Sequence, residues 1–313
     1  MIRLLLLLVA LLLPSAGFAQ SCNFNIPGVA FGTVDTLSGA TTDTTATLAI
    51  SCTGISLTTI RICPSIGAGS AGATAAARQM TSGAGTLNYQ LYQDVGRSVI
   101  WGSFNWGLPG TPPTIDLTLA LNGTGSVNVP IYGRVFGSQG SAGPGTYTSN
   151  FTVADNDFVY GYLGVLPCPN IVVTPQHAHP TFSASGTVVG NCNVNAIDID
   201  FGTHGTVGTN VDASGLLMVS CTVGTNYNIG LDDGHAAAGP SGRKMALAAV
   251  TIGYNLYRNA ARTQVWGSTI GVNTVSATGN GGLQPYTIYA RVPPQSMPGA
   301  GVYKDVIVVT ITY

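Results

Sequence analysis

The side chains of this chain that could ligate a metal or act as an acid and a base are few and scattered. His177 and His179 are two residues apart, but the sequence places no carboxylate or third ligand near them. Asp232 and Asp233 precede Gly234, a pattern typical of a hairpin turn. No Gly-rich run ends in the Gly-Lys-Ser/Thr of a phosphate-binding loop. We therefore predict a protein that is not an enzyme, with no metal site and no cofactor.

The main candidate for a binding loop is the apolar stretch of residues 102–113, and residues 67–85 and the turn at residues 155–157 are two further candidates. Phe104, Trp106 and Leu108 alternate in the main candidate, and Pro109 begins its Pro-rich end. Exposed apolar groups usually mark a contact surface. Burying one aromatic side chain of about 150–250 Å² stabilises a complex by about 4–6 kcal/mol before entropy costs. We predict an adhesive loop here, and the equal alternative is that the stretch packs over its own domain.

These residues belong to a chain that repeats itself. Cys22 and Phe31-Gly-Thr of the first copy return as Cys192 and Phe201-Gly-Thr, with an offset of 170 that falls to 156 along the later motifs. The copies differ most after their Trp-Gly motifs. The further matching motifs are Ser51-Cys52 and Ser220-Cys221, Tyr89 and Tyr254, Trp101-Gly and Trp266-Gly, Ile131-Tyr and Ile288-Tyr, and Tyr147 and Tyr303. Such a steady order indicates two copies of one fold, so a feature present in only one copy is a candidate for function.

The positions of the six cysteines can be compared between the two copies. Cys22 with Cys52 and Cys192 with Cys221 occupy the same places in the two copies, which indicates one short disulfide in each. Cys63 and Cys168 have no counterparts, so we expect them to pair with each other. An exported chain makes disulfides the default state of its cysteines.

Composition and the N-terminus favour an exported β protein. Residues 1–19 have the positive start, apolar run and small-residue end of a signal peptide. Charged residues are only 7% of the chain and glycines number 42, which disfavours long helices and favours strands joined by tight turns. A formal net charge of −1 does not favour binding to nucleic acid.

The pattern of short apolar strands and frequent turns predicts two tandem β-sandwich domains. We expect a first domain over residues 20–165, a Pro-rich linker over 166–180 and a second domain over 181–313. The last strand should turn one apolar face inward, with alternate side chains contributed by Ile307, Val309, Ile311 and Tyr313.

The ordered motifs Cys192, Phe201-Gly, Ser220-Cys221, Tyr254, Trp266-Gly and the last strand resemble the spore coat protein U domain family, twice over in this chain. Its members include subunits of archaic chaperone–usher pili. The resemblance implies immunoglobulin-like, pilin-type domains that lack one strand. It also implies a periplasmic chaperone, an outer-membrane usher and a neighbouring subunit that donates the missing strand. Two domains in one chain look like the tip adhesin of such a pilus.

The copies differ in the segments that could act as donors. Almost nothing precedes Cys22 in the predicted mature chain, whereas residues 181–189 precede Cys192. The first copy continues past its strand 146–154 into residues 158–165, for which the second copy has no evident counterpart. We expect residues 158–165 to complete the first domain from within and the second domain to need a donor. The alternative is that residues 181–189 complete the first domain.

The resemblance thus implies an extracellular pilus-tip subunit, exported through the periplasm, that adheres to hydrophobic surfaces and promotes biofilms. One alternative is a structural coat protein of the same family, with no pilus. Another is a secreted carbohydrate-binding module, with a sugar ring stacked on Trp101 or Trp106 and hydrogen-bonded to Asn105.

Overall fold

The computed structural model describes residues 20–162, 167–168, 175–236, 239–296 and 299–313, and within these ranges the chain is all-β with no helix. The described part accordingly has no helical segment able to span a membrane. The predicted signal peptide and residues 163–165 lie outside the described ranges, as do residues 166 and 169–174 of the predicted linker.

The first domain is a sandwich of two sheets. Its larger sheet has the strand order β1-β3-β8-β6-β5-β9-β12-β2 and its smaller sheet the order β11-β10-β4-β7. The strands are β1 (Ser21–Asn25), β2 (Val29–Val34), β3 (Thr42–Thr53), β4 (Thr59–Ile66), β5 (Arg78–Ser82), β6 (Gly85–Tyr92), β7 (Ile115–Thr118), β8 (Thr124–Val135), β9 (Gly145–Phe151), β10 (Asn156–Tyr162), β11 (Gln176–Ala178) and β12 (Phe182–Val188).

The second domain repeats this plan with fewer strands. A five-stranded sheet has the order β13-β14-β19-β17-β16, and a three-stranded sheet has the order β18-β15-β20. The strands are β13 (Cys192–Ile197), β14 (Val211–Cys221), β15 (Asn226–Leu231), β16 (Arg243–Leu247), β17 (Val250–Tyr257), β18 (Val275–Thr278), β19 (Leu283–Val292) and β20 (Val309–Thr312).

Alternation of apolar and polar residues places each core between two sheets. In β3, Ala46, Leu48, Ile50 and Cys52 are buried while Thr45 and Thr47 face the solvent. Side chains of a strand alternate between its faces, so a period of two gives each sheet one apolar face.

The three disulfides are those that the repeat indicates. Cys22–Cys52 and Cys192–Cys221 each join directly paired residues of neighbouring strands, β1 to β3 and β13 to β14. Cys63–Cys168 ties β4 to the chain that follows β10. The second copy has no cysteine at the place of Cys63 or Cys168.

The segment that completes the first domain is β12 and not the predicted strand 158–165. β12 lies between β9, to which it is antiparallel, and β2, to which it is parallel. Residues 182–188, which lie in the segment 181–189 that we assigned to the second domain, therefore belong to the sheet of the first. Residues 176–178 of the predicted linker likewise form β11.

The prediction for residues 158–165 is wrong because β10 has a counterpart in the second domain. β10 pairs with β4, and β20 pairs in the same way with β15, the counterpart of β4. The apolar run at the end of the chain thus contains two elements. Its beginning corresponds to the end of β9 and its last residues to β10, which the continuous alternation of apolar residues conceals.

Among the described residues the second domain has no counterpart of β12, as predicted. Residues 301–307 correspond to β9 and pair on one side, where Ala246 and Lys304 exchange two backbone hydrogen bonds of 2.8 and 3.1 Å. Residues 199–204 correspond to β2. Within the described ranges no strand lies between these two segments.

Shortening Phe182 tests whether β12 is part of the first core. Phe182 is 8% exposed and stacks on Phe151, so Phe182→Ala should lower the free energy of unfolding of the first domain by about 3–5 kcal/mol. Urea unfolding measures the loss, and hydrogen exchange assigns it to a domain. Val189→Ala, next to the strand and 49% exposed, should change stability by no more than about 0.5 kcal/mol. Equal effects of the two changes would contradict the assignment.

Candidate functional site

In the first domain, β12 fills the groove between β9 and β2. Phe182 stacks on Phe151 with ring centroids 4.3 Å apart. Ala184 and Val188 are buried further along β12. At Gly186 a Cβ atom would lie 3.3 Å from a methyl carbon of Val34, so the groove is narrow at this point. β12 therefore acts as one more core strand, with alternate side chains directed inward.

The equivalent groove of the second domain is uncovered. Tyr147 and Phe151 on β9 are 1% exposed, whereas their counterparts Tyr303 and Ile307 are only half-buried. Phe201 is half-buried too, although its counterpart in β2 is buried. The second domain thus has apolar side chains where a further strand would cover them.

The last residues of the chain line the same opening. Ile307, Val309 and Ile311 are half-buried and pack against the second core, while Val306 and Val308 between them are exposed. Tyr313, at the end of this series, is 59% exposed.

A carboxylate lies in the second groove. The side chain of Asp305 is 3% exposed. One of its oxygens accepts a 2.8 Å hydrogen bond from the Tyr254 hydroxyl and the other a 3.0 Å bond from the backbone N–H of His235. Burial, together with the hydrogen bond to Asp305, raises the pKa of Tyr254. Ser149 occupies the equivalent place in the first domain, so the two grooves differ chemically at this position.

The predicted adhesive loop is neither fully exposed nor part of the core. Phe104, Trp106, Leu108 and Pro109 are all half-buried. The indole of Trp106 packs against the backbone of Gly67, where a Cβ atom would lie 3.3 Å from it.

Polar contacts hold this loop to the smaller sheet. The side-chain amide of Asn105 donates a 2.6 Å hydrogen bond to Asp157, and His177 of β11 lies 2.8 Å from the other oxygen of the same carboxylate. Asn105 and His177 therefore form structural contacts. Among the described residues no cluster of three His, Cys, Asp or Glu side chains is placed to hold a metal ion.

A buried arginine fixes the start of the loop. Arg78 donates to the carbonyl oxygens of Ile66, Gly67 and Trp101 at 2.7–2.8 Å and also to Gln90. Burial lowers the pKa of Arg78 to about 10. In the second domain Arg243 makes the equivalent bond to the Trp266 carbonyl.

Trp101 and its counterpart Trp266 belong to the buried framework of the two copies. The indole N–H of Trp101 donates to the Pro64 carbonyl at 2.8 Å, and that of Trp266 donates to the Ile229 carbonyl at 2.9 Å. Both indoles are buried, so neither can stack on a sugar ring.

Two turns at another end of the first domain carry more exposed apolar side chains than the predicted loop. Ile55 and Leu57, in the turn between β3 and β4, are 42% and 65% exposed, and Leu121, in the turn between β7 and β8, is 80% exposed. The turns are joined by a 2.9 Å hydrogen bond from Gly54 N–H to the Gly123 carbonyl. We call residues 54–58 and 119–123 the distal turns.

The distal turns lie far from the second domain. They adjoin the start of β8, whereas the loop after the end of β8 contacts the second domain, with Gly140 against the backbone of Gly281. Twelve residues of β8 separate the two ends, a distance of roughly 35 Å. The predicted loop lies elsewhere, beside Ile66 and Asn156 at the opposite end of the smaller sheet.

Strand register explains why the sequence did not identify the distal turns. Ile115 and Ala277 are equivalent, and so are Ser126 and Leu283. The first copy needs 11 positions between these landmarks and the second copy 6. Most of the extra length that we placed in residues 102–113 therefore belongs to the distal turn 119–123. The offset between the copies falls from 169 at Cys52 to 165 at Tyr89. This fall was the sequence evidence for the other distal turn, residues 54–58.

Comparisons with known proteins agree with this architecture. The chain matches Protein U of Myxococcus xanthus with 33% identity over 128 residues, which cover 37% of this chain and 71% of that protein. The fold of the present chain is similar to that of a chain in the CsuC–CsuE chaperone–tip adhesion subunit pre-assembly complex, from the archaic chaperone-usher Csu pili of Acinetobacter baumannii. That similarity has a TM-score of 0.57 and 20% identity, over 94% of this chain and 100% of that chain.

The family model described as Spore Coat Protein U domain matches both copies of the repeat, over residues 8–154 and 178–310. The chain therefore belongs to the Spore Coat Protein U domain family.

Proposed function

We propose that this protein is the tip subunit of an archaic chaperone–usher pilus, in which the first domain adheres to a surface and the second joins the rod. The observation that carries the proposal is the different state of the two grooves. The first is filled by β12 of the same chain, and the second has uncovered apolar side chains, with no described strand between residues 301–307 and 199–204. A two-domain chain with one open acceptor groove, whose strand β12 is used within the chain itself, suits the end of a fibre.

The second groove would be filled by strand addition. A neighbouring subunit would insert an extended N-terminal segment between residues 301–307 and 199–204, as β12 does in the first domain. Until then the open edge is an aggregation hazard. A periplasmic chaperone would cover it, and an outer-membrane usher would exchange the chaperone for the donor. The fold-similar Csu complex, which pairs a chaperone with a tip adhesion subunit, supports this assignment.

The adhesive surface we propose is centred on the distal turns. Ile55, Leu57 and Leu121 are exposed apolar side chains on turns that hydrogen bonds hold together. The second copy has shorter turns here, with no Leu or Ile in Val223-Gly-Thr225 or Gly279-Asn-Gly281. That end of the second domain contacts the first domain, so in a linear assembly only the first domain presents it freely. A rigid apolar end suits contact with hydrophobic surfaces, the first step in forming a biofilm.

Replacing the distal apolar side chains should weaken adhesion strongly without unfolding the domain. We expect Ile55→Ser/Leu57→Ser/Leu121→Ser to reduce binding of the mature chain to polystyrene at least about tenfold, because the change removes most of the apolar contact area. The matched control is Ile270→Ser/Val272→Ser/Leu283→Ser in the second domain, whose side chains are 54%, 69% and 67% exposed. Equal loss in both triple variants would contradict a distal adhesive surface.

A third variant separates the two candidate surfaces. Phe104→Ser/Trp106→Ser/Leu108→Ser changes half-buried side chains, so we expect loss of stability with adhesion retained per folded molecule. Adhesion lost in this variant alone, at unchanged melting temperature, would return the adhesive surface to residues 102–113. Retention of the wild type on immobilised sugars but not on polystyrene would favour a carbohydrate-binding module.

Chaperone binding tests the open groove. Co-expressed with a chaperone of this pilus class, the wild type should co-purify with it. Ile307→Asp should abolish co-purification because it puts a charge among the groove's apolar side chains. Val306→Asp is the control, since Val306 is 60% exposed and its side chain is directed away from the core. Retention of the complex by Ile307→Asp would show that the chaperone binds elsewhere.

A further inference from the structure

We propose that the acceptor site of the second domain extends over both of its sheets and takes a donor segment that forms two strands. The segment has the length of residues 176–188, the stretch from the start of β11 to the end of β12. The inference rests on the proposed role of the second domain as a strand acceptor. It identifies the partner as an extended chain longer than the groove alone requires.

The first domain supplies the template. Before β12 enters the larger sheet, β11 adds to the outer edge of β10 in the smaller sheet, with Ala178 opposite Phe158 and Gln176 opposite Tyr160. Ala178 is partly buried and packs against the core. One continuous segment therefore closes both sheets of the first domain.

The passage from one sheet to the other is also fixed by contacts. The side-chain amide of Asn156 donates a 2.7 Å hydrogen bond to the Pro180 carbonyl. The Nδ1 atom of His179 lies 2.6 Å from the Asn156 carbonyl oxygen. Pro180 has no N–H to offer the ladder, which suits a residue where the chain leaves one sheet.

The second domain has the same two openings. β20 pairs with β15 on one side, and no described strand adds to its other edge. Pairing makes Ile311 the counterpart of Phe158, and Tyr313 follows as that of Tyr160. Tyr160 is 7% exposed and Tyr313 59%.

The strands that face β10 and β20, which are β1 and β13, show the same difference in side-chain exposure. In the first domain Phe24 of β1 is 9% exposed and packs on Phe158 and Tyr160 at ring distances of 5.3 and 5.6 Å. Its counterpart in β13, Val194, is 39% exposed. A donor that filled only the groove would leave Val194 and Tyr313 uncovered, whereas one that also paired with β20 would cover this corner.

The lining residues define the chemistry of the donor. Ala184 of β12 lies opposite Ser149, whose counterpart is Asp305. Because the Asp305 side chain is only 3% exposed, the donor residue opposite it should be small and not acidic. Apolar residues should occupy alternate positions on either side, as in β12, and a small apolar residue should lie opposite Ile311, as Ala178 does opposite Phe158.

Two synthetic peptides test the two-strand site on the full mature chain. The short peptide has the sequence of residues 181–189, which covers β12, and the long peptide that of residues 175–189, which adds β11. Calorimetry gives each Kd, and hydrogen exchange locates each peptide. We expect both peptides to protect residues 301–307. The long peptide should bind with a Kd about tenfold lower, because it adds strand pairing and apolar burial, and only the long peptide should protect residues 309–312.

Two variants test whether the long peptide gains its affinity at the edge of β20. Tyr313→Ser should remove most of the advantage of the long peptide and leave the Kd of the short peptide unchanged. Val302→Ser, at a side chain 69% exposed, should change neither Kd. Equal affinities, with no protection of residues 309–312, would overturn the two-strand site while leaving the groove as a one-strand acceptor. Binding of neither peptide would overturn both the inference and the acceptor role, and would leave the adhesive role of the distal turns to its own assay.

Discussion

The architecture of this chain depends on where one seven-residue strand forms its hydrogen bonds. β12 precedes the second copy of the repeat in sequence but fills the first copy in space, between β9 and β2. Each sandwich needs a strand at this position to cover its apolar face and to satisfy two backbone edges. The chain as described supplies that strand to one sandwich, so completing the first domain leaves the second incomplete.

This placement makes the two ends of the molecule different. The end of β12 connects at once to the second domain, and the first domain presents its distal turns at the far end of β8. The corresponding end of the second domain contacts the first domain, as the close approach of Gly281 to Gly140 shows. In the part of the chain that the structure describes, the first domain carries the longer, apolar turns at that end, while the second domain has the groove that no strand fills. The proposed division of labour, adhesion at one end and assembly at the other, follows from this asymmetry.

The sequence predicted the fold well because the repeat made each copy a reference for the other. The all-β class and the missing strand of the second domain are confirmed, and the disulfide pairs follow the symmetry of Cys22 and Cys192. The errors came from assigning segments by their order in the chain. Residues 181–189 are next to Cys192 in sequence but pair with residues of the first domain, and long-range strand pairing leaves no local pattern. The apolar alternation of residues 306–313 likewise hid a passage from one sheet to the other, and strand register was needed to locate the extra residues of the distal turn 119–123.

Hydrogen exchange of the mature chain, without chaperone or added peptide, tests most directly whether β12 closes one groove and leaves the other open. We predict slow exchange in residues 182–188 and 145–151, where β12 pairs with β9. We predict faster exchange in residues 301–307 and 199–204, where the second domain lacks the equivalent strand. Equal, strong protection in both domains would show that the second groove is closed and would contradict this assignment. Fast exchange in residues 182–188 would show that β12 does not complete the first domain.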